Sequence, residues 1–218
     1  MKIISWNANH GEFLYEDIFD GSHDVIYMQR CPLSLAEKIR DTGGYTIWWH
    51  PQTTGEDAVG LLTASKGIKW STNPRKVDLI EARKIDQTDT SQSYILQRMV
   101  WNNSTFVNFL PPFKSKGANI EYFQKLLKYD FEVAIGDTHC DLNEHIKPNA
   151  SSPLWWGNTT PRKNQTRNRE NNFFKPGEIP QILTWVMSRN KELQLEKVHY
   201  LGDNHVGHHP VEAWFDEL

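Results

Sequence analysis

Clusters of histidine and aspartate are the first candidates for chemistry in this chain. His139, Asp141 and His145 follow one another closely, and the segment 203–209 contains Asp203 and three histidines. Imidazole and carboxylate groups can both bind transition metals. The first cluster has three members, and His208 and His209 are neighbours that would point to opposite faces of a strand, so the sequence does not predict a structural zinc site in either segment. For residues 139–145, a weak metal site and an ordinary solvated loop both remain open.

Basic side chains that lie between aromatic pairs form a second candidate site. The segment 162–175 carries five basic residues and only Glu170 as an acidic one, with Trp155-Trp156 before it and Phe173-Phe174 at its end. The basic residues are Arg162, Lys163, Arg167, Arg169 and Lys175. Such interleaving suits phosphate contacts combined with base stacking. A loop that is merely solvated is the alternative.

Length and composition indicate one globular domain, 1–218. The chain has 218 residues, of which 38% are hydrophobic and 23% charged. This length supports a single domain with a full core. The formal net charge is −3, so no global field attracts nucleic acid or anionic lipid, and any polyanion site must be local.

Cysteine usage and the start of the chain predict an intracellular location. Cys31 and Cys140 are the only cysteines, too few for a disulfide framework. The first apolar run begins at Met1 without a basic segment before it, unlike a secretory leader. No apolar run approaches the roughly 18 residues of a membrane span, so we expect no membrane partner.

Short apolar runs predict eight strands, and two amphipathic segments predict helices. The strand segments are 2–6, 24–29, 45–49, 57–64, 94–101, 105–109, 131–136 and 210–215, which have the length and the β-branched or aromatic content of strands. A capping box at Ser34–Glu37 predicts a helix that ends at Gly43-Gly44. Asn119 is expected to cap a second helix over 120–129. Residues 147–180 lack periodicity and predict a long basic and aromatic loop.

Six of these segments, taken in order, carry a resemblance to a known family. They are ISWNAN at 4–9, DVIYMQR at 24–30, AVGLLTASK at 58–66, FVNFLPP at 106–112, VAIGDTH at 133–139 and GHHPV at 207–211. Together they resemble the exonuclease–endonuclease–phosphatase superfamily, whose members hydrolyse phosphate esters. The resemblance implies a DNase I-like, four-layer α/β sandwich, with two mixed β-sheets flanked by helices and a site at one end of the sheets.

The resemblance also implies which residues would form the site. Asn7, Asp137, His139 and His208 stand at family site positions, with His139 where the family has Asn. The family's metal-binding Glu is replaced by Arg30. Three expected aspartates are replaced by Asn9, Leu183 and Gly207. These changes make the pocket more positive by about five charges, which disfavours a hard dication that needs several oxygen ligands.

The replaced ligands predict a catalytically impaired protein that acts by binding. We expect Arg30 either to pair with Asp137 or to bind a phosphate; a surface position for Arg30 is the alternative. The predicted partners are DNA, RNA or a protein that handles them, contacted by the basic residues of 162–175 and by Trp155 and Trp156. We expect no cofactor. The open alternative is an active phosphodiesterase that uses Mg²⁺ or Mn²⁺ with rearranged ligands, of which Asp137 would be one.

Overall fold

A computed structural model gives the architecture of the chain. It describes residues 1–8, 21–53, 55–66, 96–101, 104–111, 122, 126, 131–137, 155–156, 184–188, 194–198 and 210–214. Within these ranges lie one complete helix, α1 (Leu33–Gly43), and eleven strands. The strands are β1 (Lys2–Asn7), β2 (Val25–Pro32), β3 (Thr46–Pro51), β4 (Val59–Ser65), β5 (Leu96–Trp101), β6 (Ser104–Phe109), β7 (Val133–Asp137), β8 (Trp155–Trp156), β9 (Thr184–Ser188), β10 (Gln194–Val198) and β11 (Val211–Trp214).

The strands form two mixed sheets, which confirms the predicted fold class. The first sheet has six strands in the order β10-β11-β1-β2-β4-β3, and the second has five in the order β5-β6-β7-β9-β8. Strands β1 and β2 are parallel, as are β6 and β7, and the other pairs are antiparallel. All eight predicted strands are present. Strands β8, β9 and β10 are not among these eight. The sequence of β10, QLEKV, alternates without a strong apolar face.

Alternation along the strands assigns their residues to two buried layers. In β1, Ile3 joins an apolar cluster between the sheets, whereas Ile4 and Trp6 join a second cluster on the face covered by α1. The inter-sheet cluster contains residues from both sheets, among them Tyr27, Phe106, Val133 and Ile135. Successive side chains of a strand point to opposite faces, so a strand buried on both faces is apolar almost throughout.

Helix α1 begins and ends at backbone signals, and the capping-box prediction is wrong. The residue before the helix is Pro32, with extended φ and ψ of −61° and 147°, and no side chain caps the first turn. Because β2 runs directly into the helix, Ser34 is already the second helical residue and cannot cap it. The predicted stop is confirmed: Gly44 ends the helix in the left-handed conformation, with φ of 65°, which glycine adopts without a Cβ clash.

Two other sequence predictions are partly addressed by the described residues. Tyr122 and Leu126 are helical and buried, at a spacing that puts them on one helical face; the rest of the predicted helix 120–129 lies outside the described residues. Within the predicted loop 147–180, backbone pairing with β9 makes Trp155–Trp156 a short edge strand, and the rest of that segment lies outside the described residues. No helix in the described part of the chain is long and apolar enough to cross a membrane.

Two buried groups on β2 predict a loss of stability at alkaline pH. Burial raises the pKa of the Cys31 thiol and of the Tyr27 hydroxyl above their ordinary values of 9.0 and 10.0. Both therefore stay protonated in the native state while the unfolded chain releases protons. Stability should be intact below pH 9, fall by about 1.4 kcal/mol per pH unit above pH 9 through Cys31, and fall by about the same further amount per unit above pH 10 through Tyr27. Urea titrations at several pH values give the free energy of unfolding of the wild type and of Cys31→Ala. In the variant, this free energy should fall less steeply with pH, by about 1.4 kcal/mol per pH unit, because one buried proton is missing. Equal slopes would contradict the burial of Cys31.

Candidate functional site

The candidate site starts from the last residues of two strands in different sheets. Asn7 ends β1 and Asp137 ends β7, and both side chains are buried. The side-chain amide of Asn7 donates a hydrogen bond of 2.5 Å to Oδ2 of Asp137. The fold thus joins two residues that are 130 positions apart in the sequence. Their contact lies between the sheets, at the end where β1 and β7 finish.

A layer of buried polar side chains includes this pair. Its members face the other sheet and are each at most 3% exposed, namely Ser5, Asn7, Gln29, Thr63, Gln97, Asn108 and Asp137. Gln29 donates to Ser5 and to Asn108, over 3.2 and 2.8 Å, and the Thr63 hydroxyl donates to Gln97 over 2.7 Å. We refer to these seven residues as the polar layer. Buried polar groups are costly unless they are hydrogen-bonded, so a connected layer at one end of an apolar core marks a specialised region.

Arg30 enters the region through a bulge in β2. The pairing of β2 with β4 joins Met28 to Leu62 and then Cys31 to Gly60, so Gln29 and Arg30 together oppose the single residue Leu61. Arg30 has φ of 53°, and among the described residues it alone is left-handed without being glycine. An extra residue in one strand turns the side chains that follow to the other face. Cys31 consequently packs in the cluster under α1 rather than between the sheets.

The Arg30 guanidinium and the Asp137 carboxylate act on each other electrostatically. Burial lowers the pKa of Arg30, and the negative charge of Asp137 raises it in opposition. The guanidinium of arginine stays protonated throughout the physiological range. A fixed positive charge therefore acts on the carboxylate that the family resemblance offered as the one possible metal ligand.

The described residues do not fit a magnesium centre. Of the two buried acids in the described ranges, Asp137 and Glu212, only Asp137 belongs to this region. Glu212 instead accepts ion pairs from Lys2 and His23 on the face covered by α1, at 2.9 and 3.0 Å. Mg²⁺ requires octahedral oxygen ligation, and here one carboxylate shares its surroundings with a guanidinium. Nowhere in the ranges that the structure describes do three acidic, histidine or cysteine side chains converge.

The structure brings some of the predicted site residues together and separates others. Asn7, Arg30 and Asp137 lie in one region. Trp155 and Trp156 pair with one end of β9, at Ser188 and Met187, whereas Asp137 pairs with Thr184 at the other end. Along the strand direction alone, Trp155 is therefore about 13 Å from Asp137. His139, His208, Arg162, Lys163, Arg167 and Arg169 lie outside the described residues, as do Asn9, Leu183 and Gly207. The roles of all these residues stay predictions.

Sequence reasoning missed most of the polar layer. Gln29, Gln97 and Asn108 were each part of a predicted strand but were not assigned to a site. The signal was present, because an amide at an inward-facing position of an otherwise apolar strand needs a partner in the core. Gln97 in the run LQRMVW and Asn108 in STFVNF are such positions.

Comparison with known proteins finds solved structures of similar fold at low sequence identity. No protein-family model matches the sequence, and no curated protein matches it either. Among solved structures, an endonuclease/exonuclease/phosphatase family protein from Leptotrichia buccalis is similar, with a TM-score of 0.58, 15% identity and 100% of both chains covered. D. rerio TDP2 complexed with a single-strand DNA product gives a TM-score of 0.62 at 11% identity, covering 98% of this chain and 97% of the other. ANGEL2, described as a 2',3'-cyclic phosphatase, gives 0.62 at 12% identity, covering 97% and 93%.

These likenesses extend over nearly the whole chain, and they agree with the observed pair of mixed sheets and with the motif order of the sequence. At such identities they establish the architecture alone. The chain has the fold of the endonuclease/exonuclease/phosphatase proteins.

Proposed function

We propose that this protein binds the phosphate groups of a nucleic acid without hydrolysing them. The observation that carries the proposal is the position of Arg30, a permanent cation in a strand bulge within the electrostatic field of Asp137. In this fold the resemblance places a metal-binding carboxylate at that position. A guanidinium offers a phosphate the positive charge that a metal would have supplied, in a planar fork that matches two phosphate oxygens.

Binding without turnover follows from what a guanidinium can and cannot do. It can neutralise a phosphate and orient it through paired N–H donors. It cannot lower the pKa of a bound water to generate a nucleophile, as a metal ion does. The Asn7 amide is committed to the Asp137 carboxylate, which leaves this carboxylate less able to act as a base. The described residues of this region thus have the means to hold a phosphate, and among them none is placed to activate water.

A nucleic acid is the partner that the remaining observations favour. One of the similar structures is a complex with single-strand DNA. The net charge of −3 gives no general attraction for polyanions, so recognition would depend on local cations such as Arg30 and those of segment 162–175. The low cysteine content favours an intracellular setting for this interaction. A protein that handles nucleic acids is the competing partner, and binding that survives nuclease treatment would identify it.

The second candidate is a metal-dependent phosphodiesterase with a rearranged ligand set. The hydrogen-bonded pair of Asn7 and Asp137 favours it, since both residues stand at family site positions. His139, Asp141 and His208 would have to supply the missing ligands. This candidate requires Mn²⁺ or Mg²⁺ to bind the Asp137 carboxylate in competition with the positive charge of Arg30.

One experiment separates the two candidates. A fluorescently labelled single-stranded oligonucleotide with a 5'-phosphate is titrated with the protein in EDTA, and the same mixture is then incubated with Mg²⁺ or Mn²⁺. We expect binding in EDTA and no cleavage above that of Asp137→Asn, an isosteric variant. Turnover that requires metal and disappears in Asp137→Asn would establish the phosphodiesterase, and absence of both binding and cleavage would refute both candidates.

The basic segment predicts a change in salt dependence. Replacing Arg162, Lys163, Arg167 and Arg169 by alanine should weaken oligonucleotide binding and flatten the plot of log affinity against log salt. The expected change is roughly 0.7 of a slope unit for each phosphate that is no longer neutralised on a single strand. An unchanged affinity and slope would assign the segment to an ordinary solvated loop and would favour a protein partner.

A further inference from the structure

Side chains of the second sheet donate hydrogen bonds to backbone carbonyls around the bulge in the first sheet. The Asn108 side-chain amide, on β6, donates to the carbonyl of Leu62 over 2.8 Å. The Gln97 amide, on β5, donates to the carbonyl of Leu61 over 3.0 Å. Leu61 is the residue that the bulge leaves opposite two others, and Leu62 is its neighbour. Two carbonyls of β4 at the bulge therefore receive hydrogen bonds from the opposite sheet.

The same amides also hold the bulged segment of β2. The Asn108 oxygen accepts a hydrogen bond of 2.8 Å from Gln29, which is one of the two bulged residues. Gln29 donates to Ser5 on β1 as well. Asn108 consequently contacts both β2 and β4 at the bulge: it accepts from Gln29 on β2 and donates to the Leu62 carbonyl on β4. Its amide also lies within 3.5 Å of the Met28 carbonyl and 3.3 Å of the Gln97 oxygen. A side chain that can only donate or only accept hydrogen bonds could not make both the bond from Gln29 and the bond to Leu62.

We propose that Asn108, supported by Gln97, is a positioning residue that holds the bulge and thereby keeps Arg30 in its left-handed conformation beside Asp137. Conformations of this kind are unfavourable for residues with a Cβ, and they persist only where the surroundings fix them. The bonds of Asn108 and Gln97 to the strands of the bulge are part of these surroundings. The binding of phosphate by Arg30 rests on the proposed function. The role of Asn108 in holding the bulge does not depend on it.

Removal of these donors makes the bulge costly to keep. In Asn108→Leu, a substitution of similar volume, the Leu62 carbonyl loses its side-chain donor and Gln29 loses an acceptor. Buried groups that lose their partners favour any rearrangement that pairs them again. Regular pairing of β2 with β4 would offer the β4 carbonyls at the bulge backbone donors instead, and it would return residue 30 to an ordinary strand conformation.

The stabilities of Arg30→Gly and Arg30→Ala together show whether residue 30 has a positive φ, and this test needs no ligand. Glycine tolerates positive φ and alanine does not. With Asn108 present, Arg30→Gly should be more stable than Arg30→Ala, with an unfolding equilibrium constant about fivefold smaller. Chemical denaturation gives both constants. In the Asn108→Leu background, we expect this glycine preference to disappear or reverse, since alanine is the better residue in a regular strand.

A glycine preference that remains fivefold in the Asn108→Leu background would overturn the proposal, because the bulge would then persist without Asn108. If the Asn108→Leu variants do not fold, the same comparison is made in Gln97→Leu, which removes the bond to Leu61 and leaves Asn108 intact. This change also removes the bonds of Gln97 to the Trp48 carbonyl, to Thr63 and to the Asn108 amide, while the bonds of Asn108 to Leu62 and Gln29 stay. There we expect a reduced preference, and an unchanged one would again count against the proposed role of these amides.

The binding measurement keeps this inference separate from the proposed function. If Arg30 binds phosphate, Asn108→Leu should weaken binding of the 5'-phosphorylated oligonucleotide in the wild-type background and have little further effect once Arg30 is alanine. Additive losses would mean that Asn108 acts on affinity without Arg30. If the wild type does not bind the oligonucleotide at all, the proposed function fails, and the comparison of glycine with alanine still decides whether Asn108 holds the bulge.

Discussion

Replacement of Arg30 by alanine is expected to weaken oligonucleotide binding by about tenfold to a hundredfold. Hydrogen bonds to charged groups contribute about 1.5–3 kcal/mol, and each 1.4 kcal/mol is a factor of about ten in affinity. The partial burial of Arg30 strengthens its attraction for an anion, because water screens the interaction less. Fluorescence anisotropy in EDTA measures the effect and excludes any contribution from a divalent cation.

The matched control is Arg40 on α1. This arginine is about half exposed, and its guanidinium already pairs with Asp41 at 2.7 Å. Arg40→Ala removes the same charge from the molecule and should leave the affinity within about twofold, as expected for an exposed pair. Equal losses in the two variants would mean that binding reflects net charge, and the assignment of the phosphate site to Arg30 would be wrong.

The second large effect concerns Asp137, whose replacement by alanine should destabilise the fold by about 3 kcal/mol. Removing a buried carboxylate leaves the positive charge that it acts on without compensation, which costs about 3–5 kcal/mol where the two groups form a fully buried pair. Here the carboxylate that is removed accepts the bond from Asn7 and offsets the charge of Arg30. Because Arg30 is only partly buried, we expect the lower end of this range. Urea denaturation measures the difference.

The direction of this effect distinguishes a paired carboxylate from one held in a metal centre. Metal centres gather carboxylates that repel one another when no ion is bound, so losing one stabilises the free protein. With Arg30 as the resident cation, the loss should destabilise instead. Combining Asp137→Ala with Arg30→Ala should recover part of the loss, because the uncompensated charge is then absent. A single Asp137→Ala variant as stable as the wild type, or more stable, would contradict the pairing.

The sequence predicts the sheets well because the strands carry their own signal. Strand β4 is buried throughout, and its run VGLLTAS is apolar or small at every position. The ordered motifs then place Asn7 and Asp137 at strand ends, and the structure joins them. Such predictions succeed because strand propensity and burial are local properties of a short segment.

The bulge could not be predicted because it is a property of two strands at once. Nothing in the sequence VIYMQRCP marks Gln29 and Arg30 as opposing one residue of β4, and only the pairing defines the extra residue. The capping box failed for a related reason. Ser34 has the right local neighbours, but β2 extends to Pro32 and fixes the start of the helix two residues earlier. Tertiary pairing overrides a local preference in both cases.

Phosphate binding without hydrolysis depends most directly on whether Arg30 takes the place of a metal ion. Calorimetric titration of the metal-free wild type with Mg²⁺, repeated with Mn²⁺, tests this claim. We predict no saturable binding into the millimolar range, and the same baseline for the wild type and Asp137→Asn. Saturable binding at or below millimolar Mg²⁺ that disappears in Asp137→Asn would contradict the account.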